Sequence, residues 1–462
     1  MLAGQQTFNT WDGSDKYFRA PATPIWVHSP YLNWLSPSDR PNDDWVWHVR
    51  NDKVGSLTVA LRVDGVAHSL LGPLSTACPP GPLKMSSLPT IGPAAILPTR
   101  TIFSYSGAGI VANLTFASPK FIQDLDSYVP ILLAEISVHS TDGAAHSVEA
   151  FMEVAGQLAV DADTTPVSWA RLPPGALPAA AVGMRIWNPA GKPLREYTPF
   201  DPTTATGGQP TEHLDWGAAH LTAIGAGGVS SWMGSSNVAR KAFALSGAVP
   251  QEPDESTMPL PACASGSCRC AEGGRASLND WPSLTASWHL GEVTHSASSR
   301  AAAVLAYDDL GASARYFGRV LPEFWRRGGR SFAEMLANAT AQHAQLLERC
   351  AAFDASMMAE MHTAGGADFA GIGALAYRQV LGDNSIVEQP AIFGFPASAA
   401  PFMFVKGLGS SGDTGTSEDT TEHSHTLPPS HSPHPHKCMH RAASSQDPTR
   451  TYPCAAMPCP ER

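Results

Sequence analysis

The chain has few charged residues, few cysteines for its length and no long apolar run. Charged residues make up 15% of the 462 residues, and the formal net charge is -11. An acidic chain without a long Lys/Arg run argues against nucleic acid or an anionic membrane surface as a partner. No window approaches about 20 consecutive apolar residues, so no transmembrane helix is predicted.

Cysteine usage and the N-terminal segment say little about the compartment. Eight cysteines are scattered over the chain, which is too few for a disulfide scaffold at this length. Residues 1–18 have no basic start followed by an apolar core, so they are not expected to act as a signal peptide. An intracellular protein and a sequence that lacks its true start both fit this pattern. The localisation therefore stays open.

Two clusters of soft ligands raise the question of a metal site, and neither has the spacing of a closed site. The first is Cys263, Cys268 and Cys270, where a local disulfide or free thiols are favoured. The second lies in a Ser/Thr/Pro-rich segment that has no core to hold a geometry. Its members are His423, His425, His431, His434, His436, Cys438 and His440. No metal and no other cofactor is expected.

The first ~300 residues alternate between strand patterns and turns. One strand pattern runs from Leu57 to Val63 and is followed by Asp64-Gly65, a pair that suits a two-residue hairpin turn because that turn needs positive φ. A second hairpin is predicted over 129–156, with alternating residues on both sides of Asp142-Gly143. Strands split by Gly, Pro and Asp turns indicate an antiparallel β-sandwich.

The periodicity becomes helical after about Tyr307. Ser331 and Glu334 form a capping box. The residues that follow predict one helical stripe, made of Phe332, Met335, Leu336, Ala339, His343, Leu346, Leu347 and Cys350. A second helix is predicted near 367–381, with one side formed by Phe369, Ile372, Ala376, Gln379 and Val380. The predicted fold class is therefore mainly β with a C-terminal α part.

Composition divides the chain into four parts. We expect an N-terminal extension over 1–23, a β-sandwich domain over 24–300, a helical part over 301–416 and a disordered low-complexity tail over 417–462. Within the sandwich, residues 247–280 offer little that could build a core. That segment is predicted to be a surface insertion or disordered.

Seven segments carry a family likeness through their content and order. They are "SPYLNWLSP" (29–37), "LRVDGVAHSLLG" (61–72), "PTRTIFSYSGAGIVANLTFASP" (98–119), "HSTDGAAHSVEAF" (139–151), "LDWGAAHL" (214–221), "AYDDLGASARYFGRVLPEFW" (306–325) and "GIGALAYRQVLG" (371–382). Together they resemble the glutaminase A family of microbial and algal proteins over about residues 24–416. The resemblance implies an antiparallel β-sandwich followed by the first helices of an incomplete (α/α) toroid, and relatives that are often secreted.

The resemblance also implies a function. Full-length relatives would hydrolyse L-glutamine to L-glutamate and ammonia, so the expected partner is a small-molecule substrate, glutamine or a similar amide. In the family, a segment like "PFMFVKGLGSSGDTGT" (401–416) continues into an apolar helical stretch, whereas here polar low-complexity sequence follows. We therefore expect residues from about 417 onward to be foreign to the fold. We also expect most of the toroid to be missing and this chain to have little or no activity.

The candidate site residues follow from position alone, because no G-x-S-x-G or other local nucleophile motif is present. Tyr377, Arg378 and Gln379 share one predicted helix and are candidate substrate-binding residues. Asp413, in a Gly/Ser loop, is the candidate catalytic carboxylate. A purely structural interpretation pairs Arg378 with a nearby acid, packs Gln379 in the core and makes Asp413 an ordinary turn residue.

Two further groups have a functional and a structural interpretation. Asp308 and Asp309 would suit a paired-carboxylate site, but a solvated connection between a strand and a helix is favoured. Four tryptophans near the start of the sandwich would suit sugar stacking, but filling of the core or of a domain interface is favoured. They are Trp26, Trp34, Trp45 and Trp47.

Two other classes of function stay open beside the amidohydrolase. One is a carbohydrate-active enzyme, which is suggested by the sandwich-plus-toroid layout and the tryptophan content. The other is a non-enzymatic β-sandwich that serves as a binding or structural module. Fold alone does not decide between them.

Overall fold

The computed structural model describes most of the chain up to residue 405. The described residues are 20–48, 54–55, 57–76, 83–160, 165–191, 198–201, 206–208, 214, 216–225, 228–256, 281–296, 298–316, 319–391 and 396–405. All of them belong to one unit, which extends to Glu422. The expected tail over 417–462 lies outside the described residues.

Strands dominate the described part of the chain. The strands of the first half are β1 Thr23–Ser29, β2 Leu32–Ser36, β3 Val46–His48, β4 Val54–Gly55, β5 Leu57–Val63, β6 Val66–Leu71, β7 Ser75–Thr76, β8 Leu83–Lys84, β9 Ser86–Ser87, β10 Ala95–Ile96, β11 Arg100–Gly107, β12 Ile110–Ala117, β13 Ile131–Ser140, β14 His146–Ala155, β15 Ser168–Arg171 and β16 Ala181–Trp187. Those of the second half are β17 Thr198–Asp201, β18 Thr206–Gly208, β19 Ala218–Ile224, β20 Val229–Ser235, β21 Pro282–Val293, β22 Ser299–Asp308, β23 Ala314–Tyr316, β24 Arg319–Leu321, β25 Asn384–Glu388 and β26 Pro401–Val405.

Three helices accompany these strands in the described residues, and three 3₁₀ segments link them. The helices are α1 Ser236–Ser246, α2 Phe332–Ala341 and α3 His343–Gly382. The 3₁₀ segments are Leu125–Ser127, Gly156–Ala159 and Phe324–Gly329. No helix in the described residues is both long enough and apolar enough to cross a membrane.

Two large sheets form the body of the fold. The order of the eight-stranded sheet is β10-β11-β12-β13-β22-β19-β16-β15, and that of the six-stranded sheet is β20-β21-β14-β5-β6-β9. Neighbouring strands are antiparallel, apart from the short parallel pair β6–β9. A four-stranded sheet, β1-β2-β3-β4, contributes to the same core. The expected fold class, an antiparallel β-sandwich with a C-terminal α part, is confirmed.

The eight-stranded sheet is buried on both faces. Along β13, Leu132 and Ala134 belong to the core shared with the six-stranded sheet, while Ile131 and Leu133 pack in a second cluster with Phe332 of α2. This division follows from the period of two along a strand. The outer face of the six-stranded sheet is covered by α1 through its own apolar cluster. The layers are therefore helix, sheet, sheet and helix.

The first predicted hairpin is confirmed and the second is wrong. Asp64 and Gly65 have φ of 48° and 86° in the β5–β6 turn, as a two-residue hairpin needs. However, β13 pairs with β12 and β22, whereas β14 pairs with β5 and β21 in the other sheet. The link through Asp142 and Gly143 therefore crosses between the sheets. Both strands still point alternate residues into one core, and for this reason the same sequence pattern fits a hairpin and a crossing.

The helical predictions hold for the first stripe. Ser331 caps α2, and its hydroxyl and backbone exchange hydrogen bonds with Glu334 as a capping box. The stripe is buried through Phe332, Leu336 and Ala339, and it continues to Cys350 on α3. The helix begins where the serine was expected because the cap satisfies backbone N–H groups that have no intrahelical partner.

Helix α3 consists of two antiparallel arms that meet at Gly366. This residue has φ 82° and ψ -170°, outside helical values. The rings of Phe353 and Tyr377 lie 5.8 Å apart by centroid, and Met358 packs against Ala374. These pairs would lie far apart along one straight helix. The second arm corresponds to the helix expected near 367–381.

The apolar side that the sequence predicts for this second arm faces outward in the structure. Phe369, Ile372 and Val380 are each half exposed, and the side chain of Gln379 is exposed. Ala370, Ala374 and Arg378, on the other side, are buried instead. Small residues let this arm approach the first arm closely, so burial here does not follow side-chain size.

Candidate functional site

A small pocket opens beside one end of the eight-stranded sheet, next to β1. Its walls come from β1 and the start of β2, from the end of β22 and the segment after it, and from the segments that precede β13, β19 and the Phe324–Gly329 turn. The lining residues are His28, Ser29, Tyr31, Leu32, Pro130, Leu214, Trp216, Tyr307, Asp309, Ala312, Ser313 and Glu323. Three aromatic rings and two carboxyl groups therefore share one concave surface.

The aromatic wall depends on a glycine. Gly217 has φ +85°, and a Cβ atom there would lie 2.0 Å from the carbonyl oxygen of Asp308. This close approach brings Trp216 beside β22, where its backbone carbonyl accepts a hydrogen bond from the Tyr307 hydroxyl. The Trp216 indole N–H donates to the carbonyl of Ala312 at 3.1 Å, and its ring meets Tyr31 edge-on at 5.2 Å. The wall is therefore held on both sides.

Glu323 forms the floor of the pocket and is fully engaged. One carboxylate oxygen accepts a hydrogen bond from Nε2 of His28, and the other accepts from the indole N–H of Trp325. Behind His28, the ammonium of Lys120 donates to Nδ1 and, at 2.8 Å, to the His28 carbonyl oxygen. Lys120, His28 and Glu323 are each nine-tenths or more buried.

Asp309 differs from Glu323 because half of its carboxyl group has no partner. Its Oδ1 accepts hydrogen bonds at 2.9 Å from Arg326 Nη2 and from the backbone N–H of Gly311. Its Oδ2 is buried and has no hydrogen-bond partner among the described residues. The neighbouring Asp308 also accepts from Arg326, at 2.7 Å, but does not line the pocket.

The electrostatics separate the two carboxyl groups. Burial, together with the negative charge of Glu323, raises the pKa of Asp309 to about 7. Burial also opposes ionisation of Glu323, but His28, Trp325 and Lys120 outweigh it and hold the pKa of Glu323 below its usual value. Carboxyl groups whose environments push their pKa values apart in this way are typical of acid–base sites.

The bases behind the pocket are also perturbed. Burial lowers the pKa of His28, although Glu323 acts in the opposite direction. Burial lowers the pKa of Lys120 to about 7, opposed by Glu323 and aided by Arg378. A neutral His28 that accepts from Lys120 at Nδ1 must carry its proton at Nε2, where it donates to Glu323.

Three of the four residues proposed from the sequence are described, and they lie outside the pocket. Arg378 is buried and its guanidinium donates to the carbonyl oxygens of Pro24 and Ile25 at 3.4 and 3.3 Å. The Tyr377 hydroxyl donates to the Lys120 carbonyl at 3.0 Å. Neither these two nor Gln379 lines the pocket. Asp413 lies outside the described residues, and so do the cysteine cluster near 263–270 and the histidine-rich segment. The assignment of these four residues stays a prediction.

The burial of side chains tests two interpretations made from the sequence. The favoured view of Asp308 and Asp309 as a solvated connection is wrong for Asp309, which is buried in the pocket wall. The favoured view of the tryptophans as core residues is confirmed for Trp26, Trp34 and Trp45, which are 2%, 6% and 5% exposed. No His, Cys, Asp or Glu cluster within the described ranges could hold a metal ion.

Sequence reasoning missed His28, Lys120 and Glu323. Each lies in a strand or connection whose pattern is ordinary, and His28 meets Glu323 across a sequence separation of 295 residues. The one available signal was the pair Asp308-Asp309 at the end of a strand pattern, near the acidic and aromatic "PEFW" segment. It pointed to one of the two pocket carboxyl groups, Asp309, but gave no reason to expect a buried partner.

Comparison with known families identifies the chain as a member of one of them. The family model described as a domain of unknown function, DUF5127, matches residues 99–360, which is more than half of the sequence. The chain therefore belongs to the DUF5127 family. The matched region includes Lys120, Asp309 and Glu323, whereas His28 lies before it. No curated protein matches the chain.

A solved structure assigned as a kojibiose phosphorylase from the human microbiome is similar to this chain. The identity is 6% and the TM-score is 0.36, over 78% of this chain and 39% of the other. This chain thus spans about two fifths of the length of that protein. The resemblance to the glutaminase A family was wrong, because the family model that matches the chain is DUF5127. Glutamine therefore has no support as the substrate.

Proposed function

We propose that this chain is a carbohydrate-active protein whose pocket takes one end of a sugar and presents Asp309 to it as a proton donor. The observation that carries the proposal is the buried Asp309 carboxyl group, which lines the pocket and leaves Oδ2 without a partner. Because Oδ1 is already occupied by two donors, a proton on Asp309 belongs on Oδ2. A carboxylic acid that stays protonated near neutral pH is suited to general acid catalysis.

The second carboxyl group supports this chemistry. Glycoside cleavage commonly uses one protonated and one ionised carboxyl group on either side of the scissile bond. Here Asp309 would protonate the leaving oxygen as the glycosidic C–O bond breaks, and ionised Glu323 would stabilise the positive charge that develops on the sugar ring. Water, or inorganic phosphate in its place, would bond to the anomeric carbon and release the proton that restores Asp309. Both oxygens of Glu323 accept hydrogen bonds, so we assign it an electrostatic role and not that of a nucleophile.

The aromatic wall favours a sugar over a small charged metabolite. Ligand sites are mostly apolar and aromatic with a few polar groups that fix orientation, and sugars combine C–H faces with hydroxyl groups. Tyr31, Trp216 and Tyr307 supply the apolar surface, while Ser29 and Ser313 add hydroxyl-bearing residues to the lining. The guanidinium of Arg326 is engaged by two carboxylates, so no free cation that would select an anionic ligand lines the described pocket.

The test uses the whole chain and a panel of mono- and disaccharides. Binding is measured by calorimetry, and bond cleavage is followed with and without inorganic phosphate. We expect at least one sugar to bind, and Asp309→Asn to weaken turnover by about 100-fold or more because a general acid contributes on that order. Asp308→Asn is the matched control, since it touches the same arginine outside the pocket, and it should keep turnover within about threefold.

The outcomes separate the two remaining functions. Turnover that depends on Asp309 supports the enzyme. Sugar binding without turnover in either buffer, unaffected by Asp309→Asn, supports the alternative of a non-enzymatic binding module. The proposal is wrong if no sugar in the panel binds or is cleaved by the natural chain, by Asp309→Asn or by Asp308→Asn.

A further inference from the structure

Three buried side chains form a hydrogen-bonded row that ends at the pocket. Lys120 donates to Nδ1 of His28, and His28 donates from Nε2 to Glu323. Asp309 follows next, close enough for the charge of Glu323 to act on it. The row crosses from β1 and the segment after β12 to the segment before the Phe324–Gly329 turn, so it joins parts of the chain that are far apart in sequence.

Filling this part of the interior does not require the charged side chains of the row. Burying an ammonium group and a carboxylate is costly unless each is paired, and an apolar filling of the same space would avoid that cost. Lys120 is 0% exposed, and its other close contacts are the Tyr128 ring at 5.4 Å and the positive charge of Arg378. The Tyr128 ring stabilises an ammonium group less than a carboxylate would, and the positive charge of Arg378 disfavours it. The direct partners of Lys120 are therefore the His28 ring and carbonyl oxygen, and Glu323 supplies the charge that favours a buried ammonium group.

We propose that Lys120, acting through His28, keeps Glu323 ionised and thereby keeps the proton on Asp309. Two nearby carboxyl groups in a low-dielectric site disfavour double ionisation, so one of them retains a proton. The hydrogen bonds from His28 and Trp325 stabilise the charge on Glu323, whereas only Arg326 and a backbone N–H act on Asp309. The row thus decides which carboxyl group is the acid.

Lys120 is then a positioning residue for Asp309, the acid of the pocket. The inference rests on the proposed function in so far as Asp309 acts as the catalytic acid. Besides each other, the two carboxyl groups have four charged or titratable neighbours. These are His28 and Lys120 of the row, Arg326 with its second partner Asp308, and Arg378 behind Lys120. Arg326 favours ionisation of Asp309 and is opposed by Glu323. Removing the positive end of the row shifts the proton toward Glu323 and lets Asp309 ionise at lower pH.

The experiment follows the carboxyl carbons of aspartate in protein labelled with ¹³C at that position, as the pH is varied without ligand. The signal that disappears in Asp309→Asn identifies Asp309. We expect its titration midpoint near neutral pH in the natural chain and a fall of at least about one pH unit in Lys120→Met. Lys120→Arg, which keeps the charge, should restore most of the midpoint.

Two further variants keep the test decisive. Lys241→Met removes an exposed lysine on α1 and should leave the midpoint unchanged. If Lys120→Met does not fold, His28→Asn, which interrupts the row, takes its place with the same expected fall. An unchanged Asp309 midpoint in the folded variant overturns the proposal, as does an ordinary aspartate midpoint in the natural chain.

The titration also distinguishes this inference from the proposed function. It needs no sugar, so a chain that binds no sugar but shows the Lys120-dependent midpoint refutes only the function. A chain that turns over a sugar through Asp309 while Lys120→Met leaves the midpoint unchanged refutes only the role of the row.

Discussion

The two faces of the eight-stranded sheet are buried in different ways. The face toward the six-stranded sheet is filled mostly by aliphatic and aromatic residues, among them Leu132, Ile136 and Leu305. The face toward α2 and α3 also buries polar groups. His220 stacks on Phe332 with ring centroids 4.7 Å apart, and Asp354 accepts hydrogen bonds at 2.7 and 2.8 Å from Thr99 and at 2.7 Å from Arg100. One interface is apolar, whereas the other also holds buried polar groups.

This difference shows where each kind of stability comes from. An apolar core is favourable in proportion to the area it removes from water, with little demand on geometry. A buried polar layer contributes only while every group keeps its partner, because a lone buried charge is costly. The helix-covered faces should therefore be more sensitive to single charge changes and to pH than the core between the sheets.

The largest loss is expected at the helix that covers the six-stranded sheet. Arg240 of α1 donates to both carboxylate oxygens of Glu153 on β14, at 2.7 and 2.6 Å, and both side chains are fully buried. Arg240→Met should cost about 3–5 kcal/mol because it leaves a buried carboxylate without its partner. Urea unfolding measures this. The double variant with Glu153→Gln should recover part of the loss, and no recovery would mean that packing and not charge explains the effect.

A slightly smaller loss is expected in the apolar core between the sheets. Leu132→Ala removes a fully buried side chain between the sheets and should cost about 3 kcal/mol, within the range for such cavities. No titratable group takes part, so the loss should be equal at pH 7 and pH 5. Unfolding at both pH values checks this, and a loss that changes with pH would contradict the contrast between the faces.

The acid sensitivity of the helix-covered face should be intermediate in size. Burial, aided by Arg185, lowers the pKa of His220 to about 3, against about 6.5 unfolded. Because the unfolded state takes up the proton first, the stability from neutral His220 is present above pH 6.5 and is lost as the pH falls toward 3. The loss should reach about 2 kcal/mol at pH 5, at 1.36 kcal/mol per unit.

The variant His220→Phe tests that loss. Unfolding free energies are compared at pH 7 and pH 5 in both chains, and the variant should lose about 2 kcal/mol less on acidification. Other buried histidines with lowered pKa, His28 and His343, keep part of the slope in both proteins. Equal slopes in the two proteins would show that His220 does not titrate in this way.

The smallest effect is expected at the start of α2. Ser331→Ala removes the capping box and should cost about 1 kcal/mol. Ser356→Ala within the first arm of α3, where the exposed hydroxyl meets Glu360 at 3.2 Å, should cost less than about 0.5 kcal/mol. Thermal unfolding of the pair compares them. Equal losses would mean that the cap adds nothing to helix packing.

The comparison of the two faces also shows how far the sequence could predict the fold. Strand alternation identified the buried residues of β5 and β13, because the period of two is a local property of the strand. It did not show that β13 and β14 lie in different sheets, since a hairpin and a crossing give the same inward pattern. For the second arm of α3, the sequence predicted the wrong buried side for a related reason. The large apolar residues of this arm are exposed, and its small residues pack against the first arm.

The candidate site was less predictable than the fold. Asp309 was considered, but a solvated connection was favoured because nothing near it in sequence neutralises or buries it. Its environment comes from burial in the pocket wall, which distant segments build, and from the charges of Glu323 and Arg326. A pKa depends on burial and on charges within a few ångströms, and neither quantity can be obtained from sequence spacing.

By itself, the order of residues determined the local features of this protein: the Asp64-Gly65 turn, the alternation along its strands and the capped start at Ser331. Each depends on backbone angles or hydrogen bonds within a few residues. The tertiary structure decided the rest, namely which sheet each strand joins, which side of a helix is covered and which of two carboxyl groups holds a proton. Those outcomes depend on long-range packing and on the low dielectric of the interior, which exist only once the chain has folded.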